Sequence, residues 1–154
     1  MPGTCTTPLD HSGDVGFELH APSLEALFDA ARVALLQELM AAPPMSDAGG
    51  TRPRGARSLD LDLEAPGLDR LLLRWLDELL FLVQVRGRVP VSARLAVQAP
   101  DAVAADRRLS ARLVTVPLDV RTHRWRGEVK AVTYHGLELV PDDRGWRARV
   151  VLDV

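Results

Sequence analysis

The stretch "KAVTYHGLELVPDDRGWRARVVLDV", residues 130–154, decides how this chain folds. Apolar and polar residues alternate in both of its halves, a period of two that is typical of β-strands with one buried face. The turn-forming "PDDRG", residues 141–145, separates the halves, so we expect two antiparallel strands. The last strand is expected to carry Trp146, Ala148, Val150 and Leu152 on one face and Arg147, Arg149, Val151 and Asp153 on the other.

Strand-like alternation recurs upstream, at residues 14–21, 58–65, 91–98 and 109–118. Because the connections from residue 91 onward are short, the last four strands are predicted to be antiparallel neighbours. In "SLDLDLEA", Leu59, Leu61 and Leu63 are expected to face the core. The opposite face of that strand carries three carboxylates, which either bind a cation or, as is more common, are simply solvated: Asp60, Asp62 and Glu64.

Two segments have helical periodicity. Ser23 is a candidate N-cap for a helix whose apolar residues recur at helical spacing up to Leu39. A second helix, from about Leu68 to Val85, has an unusually wide apolar face that must be buried against a sheet or across an oligomer contact. Together these elements predict an α+β fold in which two amphipathic helices pack on a mainly antiparallel β-sheet, whose other face is either partly open or covered by a second small sheet.

The length and charge of the chain restrict its class. A chain of 154 residues predicts a single domain, 1–154, in which we expect segments 1–9 and 41–57 to be flexible. Its 19 basic and 21 acidic residues give a net charge of −2, which argues against a broad cationic face for nucleic acid. Any contact with RNA is therefore expected to be indirect or local.

The chain has no pattern of a secreted or membrane protein. Its first residues lack the basic and apolar regions of a secretory signal, and its longest apolar run is too short to cross a bilayer. Cys5 is the single cysteine and cannot form an internal disulfide. These features predict a cytoplasmic protein.

Familiar catalytic signatures are missing from the sequence. It contains no GxGxxG, Walker loop, paired CxxC, HExxH, GxSxG or EF-hand pattern, which argues against a conventional nucleotide enzyme or zinc protein. The stretch "DHSGDVGF" places Asp10, His11 and Asp14 close together just before a strand. Such carboxylates either supply oxygen ligands to a hard cation or hydrogen-bond to nearby backbone in a turn.

Lys130 is the only lysine among the 19 basic residues, as expected where an ammonium group is needed and a guanidinium does not serve. It opens the segment "KAVTYHG". Alternation there predicts that Lys130, Val132 and Tyr134 share one strand face, and that the other face carries Ala131, Thr133 and His135.

Taken together, these stretches resemble the archease family from about Asp10 to Val154. The most specific pieces are the KAVTYH block and the ending in Asp plus one aliphatic residue. The family's early motif, His-Thr-Ala-Asp, is His-Ser-Gly-Asp here, at residues 11–14. Segments 41–57 and 100–108 match nothing characteristic of the family.

This resemblance implies an accessory protein of the GTP-dependent RNA ligase that acts in tRNA splicing and RNA repair. Archease-like proteins promote transfer of GMP to the ligase and its repeated turnover. The resemblance also implies a divalent ion, typically calcium, held by Asp14, Asp153 and Val154, and a functional lysine at Lys130. We therefore expect Asp14 to meet Asp153 where the first strand lies beside the last, with a main-chain oxygen of Val154 completing the group.

Two other functions remain open from the sequence. One is a small metal-dependent hydrolase or RNA-processing enzyme, with His11 or His135 as the base beside the metal. The other is a chaperone-like adaptor whose leucine-rich second helix binds client proteins. His11 and His135 are also candidate functional residues in the accessory role.

Overall fold

The structure of the protein is a computed structural model. It describes residues 14–45, 52–98, 106–127 and 129–154 in full, and residues 5–11 as backbone. Within these residues the elements follow in the order β1 (Cys5–His11), β2 (Asp14–Ala21), α1 (Leu24–Leu39), β3 (Arg57–Ala65), α2 (Leu68–Gln84), β4 (Arg88–Val97), β5 (Arg107–Pro117), β6 (Ala131–Asp142) and β7 (Gly145–Asp153). The predicted α+β fold is confirmed.

The strands form two antiparallel sheets, one of four strands in the order β1-β2-β7-β6 and one of three in the order β3-β5-β4. β7 pairs with β2 from Asp14↔Asp153 to Ala21↔Trp146. On its other edge it pairs with β6, starting from the tight turn at Asp142↔Gly145. The C-terminal hairpin is thus joined to the first strands of the chain.

Three features of the sheets differ from the sequence prediction. The last four strands do not lie in succession, because β4 and β5 belong to one sheet and β6 and β7 to the other. β1 is a strand that the sequence pattern did not predict, and it includes residues 5–9. Of the predicted loop 41–57, residues 46–51 lie outside the described residues, and Arg57 already belongs to β3.

Both helices lie between the sheets. α1 contacts β2, β7 and β4, while α2 contacts β6, β3, β4 and β5. Ser23 caps α1 as predicted, since its Oγ accepts a hydrogen bond of 3.1 Å from the backbone N–H of Ala26. The indole N–H of Trp75 donates to the carbonyl of Phe28 at 2.9 Å and joins the two helices. The wide apolar face of α2 is therefore buried within the chain itself, through Leu71, Leu72, Trp75, Leu76, Leu79, Leu80, Leu82 and Val83.

The leucines of β3 are not equally buried. Leu63 is 6% exposed and packs in the core, but Leu59 is 36% exposed, so its predicted burial is wrong. The reason is a groove of about 520 Å³ that separates this end of β3 from α2. Alternation along the strand shows which residues share a face, but it does not show how much of that face the helix covers.

The three carboxylates on the outer face of β3 have partners on β5. Asp60 forms an ion pair with Arg112 at 2.9 Å, and this hydrogen-bonded guanidinium lowers the pKa of the Asp60 carboxyl. Asp62 accepts a hydrogen bond of 2.8 Å from the hydroxyl of Ser110. Glu64 lies 3.7 Å from the guanidinium of Arg108. These pairings favour a solvated, cross-strand arrangement over a cation site on this face.

No helix within the described residues is long and apolar enough to cross a membrane.

The turn between β6 and β7 depends on a glycine. Gly145 has φ of +134°, and a Cβ at this position would lie 2.8 Å from Cα of Pro22, at the end of β2. We predict that Gly145→Ala lowers the free energy of unfolding by about 2–4 kcal/mol, because backbone strain and a backbone clash add together.

Gly87→Ala is the matched control for this prediction. Gly87 also has positive φ, +64°, but a Cβ there would meet no atom within 4 Å. Its cost should be about 1–2 kcal/mol, from the left-handed conformation alone. Chemical denaturation of both variants measures the two changes in the free energy of unfolding. Equal changes would show that the close packing of the β6–β7 turn against the end of β2 does not contribute to stability.

Candidate functional site

One end of the four-stranded sheet brings the predicted site residues into a row. In the strand register His11 lies opposite Asp14, Asp14 opposite Asp153, and Asp153 opposite Ala131. Directly opposed residues of antiparallel strands project from the same face of the sheet, with their Cβ atoms about 4.5–5.5 Å apart. The side chains of Asp14 and Asp153 therefore start from neighbouring positions on one face, the one opposite the core.

His11 and Asp10 occupy different faces at this end of the sheet. Only the backbone of His11 is described, and its register position lies in the row with Asp14. Asp10 pairs with Val15, so alternation assigns it to the other face. Of Asp10 and His11, the strand register thus brings His11 to the row.

Asp14 and Asp153 have no ion-pair partner within 4.0 Å among the described residues. Like charges directly opposite one another destabilise a sheet. At an exposed edge such a pair costs about 0.5–1 kcal/mol. A bound cation or a basic partner would remove this repulsion.

Other carboxylates on the same face of the sheet have hydrogen-bonding or ion-pair partners. His20 lies between two of them, with Nε2 at 2.8 Å from Glu18 and Nδ1 at 3.3 Å from Asp142. Arg147 pairs with Glu138 at 3.3 Å. On this face, the carboxylates that lack such a partner among the described residues are therefore at the end that carries Asp14 and Asp153.

Lys130 lies at this same end of the sheet. Its backbone N–H donates to the carbonyl of Asp153 at 2.7 Å, and extending the register by one residue from Ala131↔Asp153 places it opposite Val154. Lys130 is exposed, and Val154 is 45% exposed. The fold therefore brings the backbone of Asp14, Asp153, Val154 and Lys130 to one exposed end of the sheet, where alternation assigns Lys130 and Val154 to the other face from Asp14 and Asp153.

A residue that the sequence analysis did not identify holds Lys130 in place. Gln84, the last residue of α2, receives the backbone N–H of Val129 on its Oε1 at 2.8 Å and donates from Nε2 to the carbonyl of Val129 at 3.0 Å. This double hydrogen bond fixes the residue directly before Lys130. A lone glutamine at a helix end carries no sequence signal for such a role.

His135 does not join the row. A register irregularity between Thr133 and Glu138 interrupts the pairing of β6 with β7, so the predicted alternation of faces is wrong beyond Thr133. His135 is exposed in this bulge, where its backbone N–H donates to Oγ1 of Thr133 at 3.0 Å. In the part of the chain that is described, no three His, Cys, Asp or Glu side chains come together as a metal-holding group.

The bulge is tied to the start of α2 instead. The hydroxyl of Tyr134 lies 3.3 Å from Oδ2 of Asp69, and the Arg70 guanidinium carbon lies 5.4 Å from the centre of the Tyr134 ring. Tyr134 is nevertheless 51% exposed. These contacts give the second half of the KAVTYH block a structural role. That role is separate from the row of Asp14 and Asp153, called the carboxylate row below.

The model of the Archease protein family (MTH1598/TM1083) matches residues 7–154. This chain belongs to the archease family. It is 31% identical over 147 residues to the protein archease of Thermococcus gammatolerans, covering 94% of this chain and 95% of that one. It is 29% identical over 149 residues to the protein archease of Methanosarcina barkeri, covering 95% and 93%. The resemblance seen in the sequence is confirmed.

Solved structures of archease-family proteins share the fold. The solution structure of Methanobacterium thermoautotrophicum protein 1598 matches with a TM-score of 0.66 and 28% identity, over 97% of this chain and 98% of that one. A crystal structure described as an archease and possible chaperone from Thermotoga maritima matches with a TM-score of 0.51 over 96% of each chain. At 18% identity, the second match shows the archease fold alone.

The double hydrogen bond from Gln84 generates a prediction about this archease-family site. Gln84→Ala should lower the free energy of unfolding by about 1–3 kcal/mol, because it leaves the N–H and C=O of Val129 without their partner. Amide hydrogen exchange at Val129 and Lys130 should accelerate. Gln37→Ala, on the exposed face of α1, is the control and should change stability by less than about 0.5 kcal/mol. Unchanged exchange at Lys130 would contradict a positioning role for Gln84.

Proposed function

We propose that this protein is a metal-binding accessory protein that activates a GTP-dependent RNA ligase and promotes its guanylylation and multiple turnover in tRNA splicing and RNA repair. Membership of the archease family supports the choice of partner. The observation that carries the proposal is the pairing of Asp14 with Asp153 in the register of β2 and β7, beside Lys130 and Val154.

The acidic residues fit a hard divalent cation. Calcium prefers several oxygen ligands, among them carboxylates and main-chain carbonyls. Asp14 and Asp153 would supply carboxylate oxygens, Val154 would supply a main-chain oxygen, and neither carboxylate is engaged by a basic side chain in the described residues. Because these three residues offer fewer oxygens than calcium takes, water or groups of the ligase would complete the coordination.

A bound calcium would supply charge neutralisation for a phosphate group, which is a main requirement of phosphoryl transfer. The chain's own residues would present that charge at an exposed edge, where the ligase can reach it. Lys130 would contact a phosphate or an acidic group of the ligase. A compact ammonium serves there as a point charge, and arginine would be a poor substitute.

The two alternative functions have less support. The described histidine of the hydrolase hypothesis, His135, lies in the β6 bulge and outside the row of Asp14 and Asp153. The leucine face of α2, which the adaptor hypothesis requires to be accessible, is buried between the two sheets. We therefore favour an accessory protein over an enzyme in its own right.

The activation of the ligase is tested with three variants. Asp153→Ala and removal of Val154 should each reduce stimulation of ligase guanylylation and of multiple-turnover ligation by about tenfold or more, the usual cost of disturbing a metal site. Lys130→Ala should reduce both by about tenfold, because it removes a hydrogen bond from a charged group to the ligase or its phosphate. Radiolabelled GMP transfer to a purified GTP-dependent RNA ligase is the measurement. Asp143→Ala, in the exposed turn at the other end of the β6–β7 hairpin, should stimulate like the wild type. Full stimulation by all three variants would end this proposal.

The metal site is tested separately by stability, without any ligase. Without metal, Asp14→Asn and Asp153→Asn should each raise the free energy of unfolding by about 0.5–1 kcal/mol, because the substitution removes a like-charge cross-strand pair. Calcium at about 100 times its Kd should stabilise the wild type by about 2.7 kcal/mol and the two variants much less.

Asp143→Asn is the control for this titration and should respond to calcium as the wild type does. Thermal unfolding with chelator and with calcium gives all the values. Equal calcium stabilisation of Asp14→Asn and the wild type would place the ion elsewhere.

A further inference from the structure

The groove between β3 and the C-terminal half of α2 presents apolar surface to solvent. It has a volume of about 520 Å³, and its apolar wall is formed by Leu59, Leu61, Phe81 and Leu82. Phe81 is 47% exposed and Leu59 is 36% exposed, although both belong to regular elements that contribute to the core elsewhere along their length. Exposed apolar side chains grouped in one groove are typical of an interaction surface.

The backbone of β3 is available along this groove. β3 pairs with β5 and is an edge strand of its sheet. The guanidinium of Arg74 donates to the carbonyl of Glu64 at 3.2 Å, which identifies this carbonyl as pointing away from β5. By the alternation of hydrogen-bonding direction in antiparallel strands, the N–H and C=O groups of Ser58, Asp60 and Asp62 point to the same free side.

The opposite edge of the same sheet is protected. On β4, the backbone N–H of Val97 donates to Glu25 at 3.1 Å, and the carbonyl of Pro90 accepts from Arg32 at 2.8 Å. Pro90 has no N–H to offer, and the register shifts between Pro90 and Ser92. Proline, bulges and side-chain caps are the usual means by which proteins block edge strands. Among the described residues β3 has one such cap, at Glu64, and no described side chain caps the stretch beside Leu59 and Leu61.

The groove is basic at the end where β3 begins. Arg57, Arg86 and Arg88 line it, against one acidic residue, Glu78. Arg88 is fixed by hydrogen bonds to the carbonyls of Gly55 and Thr115, at 2.9 and 2.8 Å. Burial and the charge of Arg57 lower the pKa of Arg88, as expected where positive charge is concentrated.

We infer that the free edge of β3 accepts an added strand from a partner protein, an extended segment with apolar side chains toward the groove and an acidic side chain at the Arg57 end. The main-chain groups of β3 would provide pairing, and the groove would select alternate side chains of the segment. An antiparallel segment brings its C-terminal end beside Arg57, and an acidic residue there complements Arg57 and Arg86.

The same observations disfavour two other occupants. A second copy of this chain paired edge to edge would bring a second basic groove end into the interface, without an acidic complement. Single-stranded RNA stacks its bases on exposed aromatic faces. Here the guanidinium carbon of Arg86 already lies 5.7 Å from the centre of the Phe81 ring, and the rest of the wall is leucine. The inference is independent of the ligase proposal, because β3 belongs to the other sheet.

The test uses the synthetic hexapeptide TVTVTD, blocked at both ends, which carries its valines and its aspartate on one face. Added to the isotope-labelled full-length chain, it should cause saturable NMR shift changes at the amides of Ser58, Asp60 and Asp62. The peptide TVTVTK should bind at least tenfold more weakly. TVPVTD, in which proline removes a central N–H, should cause no such changes.

Variants of the chain sharpen the test. Phe81→Ser should weaken TVTVTD binding at least fivefold. Arg57→Glu combined with Arg86→Glu should reverse the preference, so that TVTVTK binds more tightly than TVTVTD. Val85→Ser is the control, because Val85 is exposed by 66% but does not line the groove, and it should bind TVTVTD as the wild type does.

Four outcomes would overturn the inference. The first is equal binding of TVTVTD and TVTVTK by the wild-type chain, and the second is shift changes confined to residues outside the groove. The third is a peptide-free dimer that protects the same β3 amides as the protein concentration increases. The fourth is tighter binding of hexauridine than of TVTVTD at these amides.

Discussion

The pairing of β2 with β7 is the interaction on which the rest of this structure depends. It joins the beginning of the chain to its last residues, and the burial of Phe17, Leu19 and Val150 fixes its register. A slip by one residue would turn these side chains to solvent, a large loss of buried apolar surface. The same register places Asp14 opposite Asp153. The geometry of the carboxylate row is therefore maintained by core packing on the other face of the sheet, and needs no bond between the two acidic residues.

Asp14 and Asp153 differ from the other described acidic side chains on the outer faces of the two sheets in having no hydrogen-bonding or ion-pair partner among the described residues. Across β3 and β5 the acidic side chains meet Arg112, Ser110 and Arg108, and on the four-stranded sheet Glu18 meets His20. Each of these acidic side chains thus has a hydrogen-bonding or ion-pair partner on its own sheet. Asp14 and Asp153 depart from this pattern at a place where register forces them together. Departures from local consistency, retained in a fold that is otherwise consistent, are expected at functional sites.

Periodicity in the sequence predicted the helices and the strands other than β1, but not how they assemble. The helix that begins after Ser23, the helix at Leu68 and the strand that ends at Asp153 each carry a local signal, a cap or an alternation, and they form as predicted. The division of the strands into two sheets depends on which strands the helices cover. The exposure of Leu59 depends on how much of β3 is covered by α2. Neither can be predicted from the sequence of a single segment. The bulge after Thr133 replaces a predicted alternation for the same reason, since its partners lie on α2. For the site, family resemblance indicated Asp14, Asp153, Val154 and Lys130, whereas Gln84 required the fold.

The openness of the carboxylate row bears on what kind of function it can serve. Electrostatic catalysis gains most of its strength where water is excluded and the local dielectric is low. Asp153, Val154 and Lys130 are all exposed, so charges at this edge act through solvent while the protein is alone. Covering them requires a surface from another molecule, and the desolvation that follows would strengthen the interaction of Lys130 and of any bound cation with a phosphate group. In the proposed function, a site built in this way would gain its effect on docking, which is the behaviour expected of an accessory protein rather than of a self-contained enzyme.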